Sequence, residues 1–183
     1  MVGGMADAVE YRVRDERVIA ASQERCFETL IDLSTYPRWW TLVAATPQGD
    51  GTRLRAGGRF QMAGARPGGA AVSWPVDVIE IDPPARIELA YAGVEYQGGT
   101  AWELDVVDGG TLVAYVYRGV RPVSARAIDH FARWGTRLHS VAMQEDALSG
   151  LARVFGGPGA DMADDAWRAD VQRRVVARIR ALG

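Results

Sequence analysis

Between Leu42 and Val120 the chain alternates apolar and polar residues, and glycine and proline turns cut it into short lengths. The cuts are Gly57-Gly58, Pro67-Gly68-Gly69, Asp82-Pro83-Pro84, Gly98-Gly99 and Asp108-Gly109-Gly110. Between them Trp74, Val76 and Val78 oppose Ser73, Pro75 and Asp77. Ile87, Leu89 and Tyr91 oppose Arg86 and Glu88, and Trp102, Leu104 and Val106 oppose Glu103 and Asp105. A side-chain period of two, broken at this spacing, predicts an antiparallel meander with one buried face. The strand over 111–120 is ambiguous, because Leu112 and Val116 compete with Val113, Tyr115 and Tyr117 for the inside. Pro75 has no N–H for a ladder, which predicts a bulge or an outward, unpaired position.

The flanks read differently. Val9, Tyr11 and Val13 alternate with Glu10, Arg12 and Arg14, a half-buried strand. Ser22 can N-cap a helix whose apolar face carries Cys26, Phe27, Leu30 and Ile31. A short helix follows from Ser34 through Trp40, with Pro37 in its first turns. After Pro122 the period becomes helical, from a Ser124 cap to a stop at Gly156-Gly157-Pro158, with a break expected near Gly135. Counted at about 100° per residue, Trp134, Leu138, Val141, Ala142, Leu148 and Ala152 form one stripe. Gly156 to Ala163 reads as a linker, and Asp164 to Leu182 as a last amphipathic helix carrying Trp167, Val171, Val175 and Ile179. The chain is therefore expected to be α+β. A domain over 8–156 has a long helix against an antiparallel sheet, and 157–183 supplies a linker and helix.

At 183 residues, 48% hydrophobic and 24% charged, the chain has the composition of a globular protein. No run of 18 apolar residues exists, so integral membrane association is not expected. A net charge of −2 removes the footprint of a nucleic-acid binder. The single Cys26 cannot form an internal disulfide, and no apolar leader is apparent, which together fit a cytoplasmic protein. All 21 basic residues are Arg, a compositional bias rather than 21 positions chosen for a guanidinium. No His-x-His, His-Glu-x-x-His or Cys-x-x-Cys spacing occurs, so neither a metal nor a cofactor is expected. The paired glycines lack the context of a phosphate loop.

The stretch from Ala20 to Trp40, with Ser34-Thr35-Tyr36-Pro37-Arg38-Trp39-Trp40 at its end, resembles the opening of the SRPBCC superfamily. This is the START-like or Bet v 1-like group, here in its polyketide cyclase/dehydrase form. Val78-Ile79-Glu80-Ile81-Asp82-Pro83-Pro84, Gly99-Thr100-Ala101-Trp102-Glu103-Leu104 and Gly109-Gly110-Thr111-Leu112 follow in the expected order. The resemblance implies a helix-grip fold, a curved seven-stranded antiparallel sheet wrapped around a long C-terminal helix and enclosing an apolar cavity. The implied functions are binding of a small hydrophobic ligand such as a lipid, polyketide or isoprenoid, or an aromatase/cyclase activity, or an Hsp90-activator-like interaction module. The fold does not choose among them.

Within that frame Trp74, Trp102, Tyr115, Tyr117, Trp134 and Leu138 are the expected ligand-lining residues, since Tyr and Trp join an apolar body to one polar tip. Glu145 joins them because it lies near the centre of the helical stripe, where a carboxylate must be paired, neutral or in a polar pocket. A cyclase would use Glu145 as proton acceptor and Tyr115 or Tyr117 as donor. His139 falls more than about 100° from the stripe and reads as a surface residue, while His130 lies nearer its edge. Cys26 reads as a core residue. The C-terminal helix is expected to dock on its own domain or on a second copy, giving a homodimer.

Overall fold

The computed structural model describes residues 8–65, 71–92, 97–122 and 136–182. Strand β1 (Ala8–Ile19) leads into α1 (Gln23–Ile31), a 3-10 turn (Leu33–Thr35) and the single-turn α2 (Tyr36–Trp39). The meander follows as β2 (Val43–Gln48), β3 (Arg59–Ala65), β4 (Ala71–Asp82), β5 (Arg86–Ala92), β6 (Gln97–Val107) and β7 (Gly110–Pro122). A helix then runs in three joined pieces: α3 (Thr136–Ala142), a π-wound turn (Met143–Leu148) and α4 (Ser149–Val154). Helix α5 (Asp164–Leu182) completes the described chain.

The strands make one antiparallel seven-stranded sheet in the order β1-β7-β6-β5-β4-β3-β2, so the first strand returns beside the last. With the helices on one face, this is the helix-grip α+β arrangement. Val113, Tyr115 and Tyr117 join the core with Trp102 and Leu104, which puts Leu112 and Val116 on the outer face. Val116 is nevertheless buried. Its register partner Arg14 reaches Glu16 and Glu103 at 2.9 and 2.6 Å, and such long stems cover apolar surface. Pro75 pairs with Gln61 of β3 and precedes the β4–β5 register, which begins at Val76. Pro75 thus takes the outward position without a β5 partner, and the bulge of this strand falls between Val78 and Glu80, where Ile79 is exposed.

The single stripe expected on the long helix is split. Met143, Ala147, Leu148 and Leu151 join the sheet core, whereas Val141 packs with Trp167, Val171 and Val175 of α5. A count of 100° per residue assumes α winding, and the π turn holds more residues per turn. Residues four apart therefore stay closer to line, so His139, Met143, Ala147 and Leu151 follow one row and Val141 and Glu145 another. The Ser124 cap, the Gly135 break, Trp134 and His130 lie outside the described residues. Helix α4 ends at Val154, and beyond it Gly156 has a φ of +87° that suits glycine, while the amides of Gly156 and Gly157 return to the carbonyls of Arg153 and Ala152.

Buried Arg153 stitches the linker to the domain. It donates to the carbonyls of Gly159 (2.9 Å), Met162 (2.6 Å) and Arg38 (3.2 Å), and pairs with Asp164 at 2.9 Å. The apolar stripe of α5 is thus covered by Leu42, Val141 and Met162 of its own chain. A second copy would have to meet a different face of α5 from the one the sequence pattern offered. No described helix is long and apolar enough to cross a membrane.

Candidate ligand-binding interior

The inward rows of the sheet are set by register. Asp15, Tyr115, Trp102 and Ile87 face one another across β1, β7, β6 and β5, and Val13, Tyr117, Thr100 and Leu89 form the next row. At one end α2 closes the interior with aromatic rings. Trp102 lies 6.0 Å from Trp39, 5.8 Å from Trp40 and 4.9 Å from Tyr115 between ring centroids. Tyr36 donates to the Leu30 carbonyl at 2.9 Å and Trp39 to the Thr35 hydroxyl at 3.0 Å, which fixes the wall. Gly150 of α4 sits so close that a Cβ there would overlap the Trp39 carbonyl oxygen. This end is packed solid, and Trp102 is fully buried in ring contacts.

The other end is built differently. None of the residues of α3 is buried, although Tyr115 and Tyr117 on the sheet are only 2% and 3% exposed. His139 lies over both rings, at 5.5 Å from Tyr115 and 5.2 Å from Tyr117. Tyr91 stacks on Tyr117 at 5.7 Å, and its hydroxyl meets that of Tyr115 at 3.1 Å. A cleft of about 460 Å³ opens between β1 and α3, lined by Arg12, Val13, Arg14, Arg137, Ser140 and Val141 among others. Val13 is the register partner of Tyr117, but neither the tyrosines nor His139 belongs to the lining of this cleft.

The polar groups of this interior are poorly served. Asp15, 5% exposed, accepts from Gln144 at 3.3 Å through Oδ1, and its buried Oδ2 has no hydrogen-bond partner among the described residues. Burial pushes its carboxyl above the ordinary range. His139 Nδ1 is likewise buried without a partner, and desolvation pushes the imidazole down to about 4, so the ring is neutral at physiological pH. Among the described residues no cluster of His, Cys, Asp and Glu could hold a metal ion.

Of the residues singled out in the sequence, Trp102, Tyr115 and Tyr117 come together on β6 and β7. Trp74 sits half-buried on β4 at the margin of the same core, and Leu138 is half-buried on α3. Trp134 lies outside the described residues. Glu145 goes elsewhere: its side chain is 18% exposed and pairs with Arg174 at 2.7 Å and Arg178 at 3.2 Å, both on α5. The π turn carries it to the α5 side, a face the uniform helical count could not resolve. For the same reason His139, expected on the surface, lies on the tyrosines. The acid that is fully buried on this helix is Asp146. It accepts from the amides of Thr41 (2.9 Å) and Leu42 (2.8 Å) and from the Thr41 hydroxyl (2.9 Å), yet burial outweighs these donors and pushes it up to about 6. Asp15 was available to a sequence reading, because continuing the Val9, Tyr11, Val13 alternation by one step places it inside.

The family described as Activator of Hsp90 ATPase homolog 1-like protein matches residues 20–146. Solved structures share the fold. Protein CV1439 from Chromobacterium violaceum superposes with a TM-score of 0.60 at 18% identity, over 79% of this chain and 96% of its own. Ms6760 from Mycobacterium smegmatis gives 0.57 at 19% identity, over 78% and 89%. SA2116 from Staphylococcus aureus gives 0.57 at 14% identity over 96% of both chains, a span too long to leave out α5. No curated protein matches the sequence.

Proposed function

The chain belongs to the Activator of Hsp90 ATPase homolog 1-like family of the SRPBCC superfamily, and on that premise we propose that it binds a small, mostly apolar molecule between the sheet and α3. The observation that carries this reading is the contrast along one helix. The π turn and α4 bury most of their residues against the sheet and α2, while α3 buries none and leaves a cleft of about 460 Å³ beside Val13 and Val141. Val13, Val141 and Leu182 give this cleft apolar surface beside the exposed Arg12, Arg14 and Arg137, which suits a ligand that is apolar over most of its length. Burial of that surface would drive affinity at about 25 cal/mol per Å². The buried thiol of Cys26 fits a reducing cytoplasm as the place where this occurs.

The cyclase alternative is weakened, because its proton acceptor, Glu145, is engaged by Arg174 and Arg178. An interaction module named for Hsp90 activation would work from the outer face and tail. The solid packing around Trp39 and Trp102 favours that reading for the α2 end alone. Mass spectrometry of an organic extract of the purified protein, together with titration by the neutral dye Nile red, tests the proposal. Saturable binding at one site per chain is expected. A protein that neither carries an apolar molecule nor takes up the dye would overturn it.

A further inference from the structure

Resting on the interior-binding reading, we propose that the ligand is headed by a hydrogen-bond donor, a hydroxyl or an ammonium, and that Asp15 and His139 receive it. Both residues lie against Tyr115. Asp15 is its register partner on β1, and the His139 ring stacks on it at 5.5 Å. Each presents a buried atom, Asp15 Oδ2 and His139 Nδ1, that no described group satisfies. Such atoms are uncommon in folded proteins, because an unmade hydrogen bond in a dry site is costly. A donor arriving with a ligand would remove that cost.

Trp102 Nε1, a donor beside Tyr115, is also without a partner among the described residues, so it is the charge at this depth and not the count of unpartnered atoms that disfavours an anion. Asp15 is the buried charged group of this part of the sheet, and it is an acid. A carboxylate placed beside it would meet like charge at that depth, where His139 is neutral, while the cations of the cleft, Arg12, Arg14 and Arg137, stay exposed outside it. The Asp15 carboxyl is served by Gln144 at Oδ1 and approached by the Ser140 hydroxyl, and Oδ2 is the oxygen left to the ligand. An alcohol and an amine share the required chemistry, and Asp15 would add charge attraction for the amine.

Competition for Nile red by four probes with the same ten-carbon tail separates the cases: 1-decanol, decylamine, decanoate and decyl methyl ether. The alcohol or the amine should displace dye at roughly tenfold lower concentration than the ether, and decanoate should be the weakest. In the Asp15→Leu/His139→Phe double variant, which removes both acceptors and keeps approximate size and ring stacking, the alcohol and amine should fall to within about twofold of the ether. His139→Asn, which restores a polar atom near the place of Nδ1, should recover part of the preference. Melting curves of each variant establish that it is folded. An ether that binds as well as the alcohol and amine, a carboxylate that binds best, or a preference untouched in the double variant would each overturn this inference and leave interior binding standing. Failure of all four probes and the dye would remove both.

Discussion

Glu145 and Asp146 are adjacent in sequence and serve different neighbours: Glu145 pairs with Arg174 and Arg178 of α5, and Asp146 accepts from the amides of Thr41 and Leu42. Two acids on successive positions of one helix thus join three parts of the molecule. The energetic weights differ, since Asp146 is fully buried and Glu145 is partly wet.

Asp146→Ala would leave two amides and a hydroxyl without their acceptor, each worth about 1–3 kcal/mol when buried. A loss of about 2–4 kcal/mol in urea unfolding is expected. Glu145→Gln breaks ion pairs near the surface and should cost under about 1 kcal/mol. Equal losses for the two variants would show that the Thr41–Leu42 junction is not held by Asp146.

Asp146 and His139 should oppose each other in the pH dependence of stability. His139 lies at about 4 when folded against an ordinary 6.5, so between those values the unfolded chain binds more protons there and stability rises with pH. Asp146 lies at about 6 against an ordinary 3.8, so over that window the native state holds the proton and stability falls with rising pH. Removing His139 as His139→Phe should leave the falling slope, about 3 kcal/mol across the window at most, relative to the parent. Asp146→Asn should leave the rising one. The difference between variant and parent cancels groups common to both, and parallel curves would contradict the assignment.

Gly150→Ala tests the packing of α4 on α2. The added methyl would overlap the Trp39 carbonyl, so backbone must move, at a cost of about 1–3 kcal/mol or more. For a chain of this size that is a fall of about 3–10 °C in Tm by calorimetry. An unchanged Tm would mean the two helices are less closely seated than described.

Arg153→Ala removes four hydrogen bonds, two to the linker, one to α2 and one to the start of α5. Hydrogen exchange over residues 164–182 should quicken by about tenfold or more, with β5–β7 protected as before. Uniform quickening of sheet and α5 together would show that the tail does not open as a separate unit.

The fold was legible because alternation in strands is local information. Ile87, Leu89 and Tyr91, or Trp102 and Leu104, declare their buried face without reference to anything distant. Where both phases are apolar, as over 111–120, the choice depended on Arg14 and Glu103 arriving from neighbouring strands to cover Val116, which no local pattern encodes. The site was less legible for one reason above others. A π turn at 143–148 has no strong sequence signature, and it redirects the residues around it. It sends Glu145 to α5 and lays His139 on Tyr115 and Tyr117. Asp15, by contrast, stood in a readable pattern, and its meaning emerged only with the register that sets it opposite Tyr115.

Cys26 is the sole cysteine of the chain, lies wholly inside the α1 packing, and has its thiol pushed up to about 11 by burial. The folded protein is therefore silent toward alkylating reagents. Any labelling of the native molecule clocks a transient opening, and a cysteine placed by design on an outer strand becomes a unique handle for a dye or spin probe without a background to subtract.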